Sequence, residues 1–100
     1  MQLGLFTPVF NQYSLDKMLA ELKHYPQITA LEIGTGCWPG NSHVDLDVCL
    51  NDAGAAQAWK SKLDDAGLSV SAFSCHGNAI HPDYAVAKHD DEIFRKTVLL

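Results

Sequence analysis

No apolar run in the chain approaches the ~20 residues that a membrane-spanning helix needs. The opening MQLGLFTPVF has no charged n-region and is broken early by Pro8, so a signal peptide is not expected either. There is no basic run. Seven Lys plus Arg stand against twelve Asp plus Glu, a formal net charge of -5, which argues against nucleic acid as a partner; with no apolar span, no membrane partner is expected either. Cys37, Cys49 and Cys75 are odd in number and widely spaced, with no C-x-x-C pair. That usage fits reduced thiols better than a disulfide framework or a structural zinc site, and a cytoplasmic location is the expectation. What is present is an ordinary globular composition, 47% hydrophobic and 19% charged over 100 residues, which bounds the chain to one domain over residues 1–100.

Taken in order, the chain alternates strand and helix signals. Gln2 to Phe6 reads as a short strand with Leu3 and Leu5 on one face, closed by Thr7-Pro8 because proline cannot continue a ladder. Ser14 is placed to cap a helix in which Leu15, Met18, Leu19, Leu22 and Tyr25 recur at helical spacing, with Pro26 at its end. Residues 28–34, ITALEIG, form the second strand, with Leu31 and Ile33 opposite Ala30, Glu32 and Gly34. The next stretch, Thr35 to Leu50, is long enough to read as a functional loop. Within it Val44 to Leu50 alternates as a short extra strand would, with Asp45 and Asp47 towards solvent. Asn51 or Asp52 caps a helix carrying Ala56, Trp59, Leu63 and Ala66 on one stripe, and Gly67 stops it. Asp90 or Asp91 opens a third helix, with Ile93, Phe94, Thr97 and Val98 as its apolar stripe. It lacks a stop signal, so the helical pattern is expected to run past Leu100.

The most informative stretch is Leu68 to Pro82, LSVSAFSCHGNAIHP. As a strand of period two it puts Val70, Ala72, Ser74 and His76 on one face and Ser71, Phe73 and Cys75 on the other. His76 then stands at the carboxyl end, with Asn78 and His81 in the turn that follows. Strand, helix, strand, helix, strand, helix with no hairpin turn implies parallel βαβ units. A doubly wound sheet would call for G-x-G-x-x-G after the first strand, where this chain has FTPVFNQYS. A (β/α) barrel fits better: Leu3, Leu5, Leu31, Ile33 and Phe73 would pack under outer helices. Phe6, Glu32 and His76 would converge inside, near the end where barrel sites are built, together with the loops bearing Trp38, Asn78 and His81.

The runs LGLFTPVF, ALEIGTG and AGLSVSAFSCHGNAIHP resemble the amino-terminal part of the xylose isomerase-like sugar phosphate isomerase/epimerase family, which includes the endonuclease IV group. The resemblance implies a TIM barrel, of which this chain would be the first three of eight βα units. It also implies a divalent metal ion (manganese, magnesium or zinc) held mainly by residues of later strands, and isomerisation or epimerisation beside a sugar carbonyl. By that resemblance His76, Asn78 and His81 contact substrate hydroxyls, with Phe6 and Trp38 also at the substrate. In the endonuclease branch His76 would instead be a zinc ligand. Glu32 is the candidate catalytic carboxylate, or a group that orients a neighbour, or a barrel-interior charge paired to a missing cation. Cys37 and Trp38 either form an apolar wall for the sugar ring or only pack their loop. The expected partner is a small sugar or sugar phosphate, with self-association through open sheet edges where those edges are uncovered. The alternatives are a DNA-repair nuclease of the same fold and a partial barrel that binds a partner without catalysis.

Overall fold

Three parallel strands carry the molecule, and every helix lies between or after them. In the computed structural model, which describes residues 1–100, β1 (Leu3–Phe6), β2 (Ile28–Cys37) and β3 (Ser69–His76) form one sheet in the order β1-β2-β3. α1 (Leu15–Leu22) links β1 to β2; α2 (Leu46–Asn51) and α3 (Ala53–Asp65) link β2 to β3; α4 (Tyr84–Leu99) follows β3. This is the α/β architecture that the alternation of signals implies.

The helices begin where short polar side chains can accept from free backbone amides. Ser14 accepts from Lys17 N–H at the start of α1, Asp45 from Val48 N–H at α2, and Asp52 from Gly54 and Ala55 N–H at α3. Gly67, at a φ of 73°, closes α3. Four expectations are corrected. Val44 to Leu50 is not a strand: Asp45 and Asp52 bracket a helical turn, and burial of Leu46 and Cys49 on one side of it overrides the alternation. α1 ends at Leu22, so Tyr25 sits in the turn before Pro26 and is exposed. Ala66 lies past the end of α3 and is also exposed. α4 is capped by Asp83, seven residues before the expected Asp90 or eight before Asp91, its carboxylate accepting from Ala85 N–H. Its Phe94 and Val98 are exposed, while Ile93 and Thr97 meet β2 at Gly36 and Thr35.

Met18, Leu19, Leu22, Leu31, Ile33, Val44, Cys49, Leu63 and Leu68 make one core, with Leu5, Val70 and Phe73 packed on its margin. Leu3 is not part of it; at the start of β1 it is 54% exposed. The sheet's pairing slips at three places, leaving Thr29, Thr35 and Ser71 without a partner in the register. Each slip has a hydroxyl at hand. Ser71 donates to the carbonyl of Leu31, Thr35 to that of Ser74, and Ser69 to that of Thr29, so the disturbed ladder keeps its acceptors satisfied. The extra residue at Ser71 also corrects the face of Val70. It pairs with Leu31 and joins Phe73 on the helix side, while Ala72, Ser74 and His76 keep the opposite face.

Candidate functional site

The carboxyl ends of all three strands meet around a group of rings. β1 ends in Phe6, which pairs with Glu32 of β2, which pairs in turn with Ala72 of β3. At the far end of the pairing, β3 ends in His76 beside Cys37, the last residue of β2. Trp38 follows at once, 75% exposed. Its ring stacks on Phe6 with centroids 6.4 Å apart at 29°, and meets His76 edge-on at 6.1 Å and 77°. Phe6 and His76 close the triangle at 6.4 Å and 84°. Three of the residues singled out from the sequence are thus brought together, each from a different strand end.

Trp38 is placed by a brace that the sequence signals did not reveal. The buried Thr7 hydroxyl, just after β1, accepts from Gly34 N–H at 3.1 Å, and Asn11 Nδ2 donates to the Pro39 carbonyl at 2.9 Å. Gly40 N–H returns to the Cys37 carbonyl at 3.1 Å, with Gly40 at a φ of 72°. This tight turn folds back onto β2: a Cβ on Gly34 would sit 2.8 Å from the Gly40 carbonyl oxygen and 3.0 Å from Pro39 Cβ. The polar residues of TPVFN were the available clue, since a strand that merely ends has no need of Thr7 and Asn11 side chains directed at the next one.

Glu32, half-buried, accepts a hydrogen bond from the Ser74 hydroxyl. The carboxylate has a neutral donor from β3 in place of the missing cation considered above. No lysine or arginine belongs to this group. Of the seven cations, Lys60, Lys62, Lys88, Arg95 and Lys96 pair with Asp64, Asp16, Glu92, Asp91 and Asp47, Lys17 lies over the Tyr13 ring, and Lys23 is the exposed C-cap of α1.

Asn78 and His81 are held by their own loop and by α4. The Asn78 side chain accepts from Ile80 N–H and its backbone N–H donates to Asp90 Oδ2 at 2.7 Å; His81 Nδ1 accepts from Asp83 N–H at 3.0 Å. Asp90 is held below the usual carboxylate range chiefly by that Asn78 N–H, and also by the Cys37 thiol and the nearby His89 and His81. The Cys37 sulfur faces Cys75 and Asp90. At a φ of 56° Cys37 is the one non-glycine residue in the left-handed region. Its Sγ lies 3.5 Å from Cys75 Sγ and donates to Asp90 Oδ1 at 3.5 Å. Burial first, then the Cys75 and Asp90 neighbours, push its thiol up to about 12.

Nowhere do three His, Cys, Asp or Glu side chains meet in a way that could hold a metal ion. His76 and Glu32 therefore do not belong to a three-ligand cluster. No protein-family model, curated protein or solved structure matches this chain.

Proposed function

We propose that the chain forms the sugar-binding end of a (β/α) barrel of the xylose isomerase-like kind, three of eight βα units, whose activity is metal-dependent isomerisation or epimerisation beside a carbonyl. The observation that carries it is the triangle of Phe6, Trp38 and His76 at the carboxyl ends of three parallel strands, adjoining the Glu32 carboxylate. Aromatic faces suit the C–H surface of a sugar ring, and an imidazole and a carboxylate suit its hydroxyls. Glu32, oriented by Ser74, and the His76 imidazole are the two groups of this set able to accept a proton. With no lysine or arginine in the set, the part of the ligand bound here is the neutral polyol and not a phosphate.

In this reading further strands pair with the free edges of β1 and β3 and bring the carboxylates that hold the metal. Manganese, magnesium or zinc would supply polarisation of the carbonyl when bound. Asn78 and His81, on the β3–α4 loop, serve by shaping that loop beside His76 in preference to touching the sugar.

Calorimetric titration with neutral aldoses, ketoses and their phosphate esters tests the proposal. Trp38→Ala and His76→Ala should each weaken binding of the neutral sugar about three- to tenfold, the worth of one lost ring contact. Their unfolding free energies should stay within about 0.5 kcal/mol of the parent, because both side chains are exposed. Equal affinity in parent and variants, or binding confined to phosphate esters, would overturn it.

A further inference from the structure

We propose that Cys37 and Cys75 form a reversible disulfide by exchange with an oxidised low-molecular-weight thiol, tying the end of β2 to the end of β3 immediately before Trp38 and His76. The two sulfurs already lie 3.5 Å apart on neighbouring strands. Both side chains are half-buried and so open to a small reagent, whereas Cys49 is buried elsewhere in the core.

The backbone is arranged for this approach. Cys37 pairs in register with His76, and Gly36 with Cys75. Regular alternation would send the side chains of Cys37 and Cys75 to opposite faces. The slip at Thr35 and the left-handed φ of 56° at Cys37 bring the two thiols together on the α4 side. A diagonal pair on adjacent strands, about 4.8 Å apart laterally and offset by one residue, falls in the Cα separation that disulfides favour. Gly77 closes the pocket: a Cβ there would stand 2.8 Å from both Cys37 Sγ and Asp90 Cβ.

The exchange balances with glutathione disulfide as oxidant. Cys75 sulfur attacks one glutathione sulfur, its proton leaves to solvent, and a glutathione thiolate departs and is protonated. Cys37 sulfur, losing its own proton, attacks Cys75 sulfur, and the second glutathione departs. Two protein S–H bonds and one glutathione S–S bond are replaced by one protein S–S bond and two glutathione S–H bonds. Cys37 is a weak nucleophile as a thiol donating to Asp90, and its proximity to Cys75 is what makes closure favourable. The bond requires nothing of the sugar proposal, since it forms or fails whether or not a ligand binds.

The test uses the full chain in excess glutathione disulfide, with thiol counting, intact mass and carbon-13 NMR of labelled cysteine. Titratable thiols should fall from the three of the sequence to one, with no adduct mass. The Cβ resonances of Cys37 and Cys75 should move to the oxidised range, the Trp38 and His76 amides should shift, and dithiothreitol should reverse all of it. Cys49→Ser should behave like the parent, while Cys37→Ser and Cys75→Ser should stop at a glutathione adduct or at no reaction. Persistence of all three thiols, a stable adduct on the parent chain, or bonds between chains would overturn the proposal. The carbon-13 measurement on the parent protein decides even where a variant fails to fold.

Discussion

His43 is the buried residue whose protonation should be felt most in folding. It is 3% exposed, its Nε2 is bonded to the Phe10 carbonyl at 3.1 Å, and its own carbonyl accepts from the Trp59 indole at 2.8 Å. Burial lowers its affinity for a proton, against the smaller opposing pull of the Phe10 and Tyr13 carbonyls. The folded protein therefore holds His43 neutral at pH values where the unfolded chain takes up a proton. The resulting stabilisation is complete above the unfolded value of about 6.5 and is lost as pH falls from there through the lowered folded value. Urea unfolding followed against pH should show a slope in that window of up to about 1.4 kcal/mol per pH unit, and His43→Gln should flatten it. This histidine could not be picked out from sequence. A histidine between Ser42 and Val44 looks like a loop residue until Phe10 and Trp59 are seen to close on it. His76 was legible because a strand parity pointed to it.

At the scale of elements, Gly34 joins the sheet to the site. The turn Cys37 to Gly40 lies so close to β2 that an added Cβ would press on backbone atoms of Gly40 and Pro39, which cannot move without carrying Trp38. Gly34→Ala should lower stability by about 1–3 kcal/mol through overpacking and should shift the Trp38 indole resonance. An unshifted indole in a folded variant would mean that the turn and the strand are independent. The strands and their parallel order could be read from alternation and from Pro8, Pro26 and Gly67, since these act locally. The errors came where a local signal competed with a distant one. Asp83, eight residues ahead of Asp91, captured the start of α4, and the Ser71 hydroxyl stabilises a bulge that reverses Val70. Bulges of this kind have no period and leave no pattern to count.

For the whole molecule, the one-sided core decides what the sheet can do. Leu31, Ile33 and Leu63 are fully buried on the helix side, each contributing about 1.5–3 kcal/mol. On the other face Ala72 and His76 remain exposed and Phe6 and Glu32 half-exposed. That division into a packed face and an accessible face was legible from residue size along each strand; the proposed closure into a barrel was not, because the alternation within β1, β2 and β3 carries no information on what pairs with the edges of β1 and β3. The proposed function requires that the accessible face be the one that binds. Nitrogen-15 NMR of the full chain, titrated with a neutral aldose and then a ketose, tests this most directly. Shifts should gather at Phe6, Glu32, Trp38, Ser74 and His76, saturate with one affinity, and leave Trp59 and Phe73 on the helix side unmoved. Shifts centred on Trp59 and Phe73, or none at sugar concentrations well above ~1 mM, would contradict it.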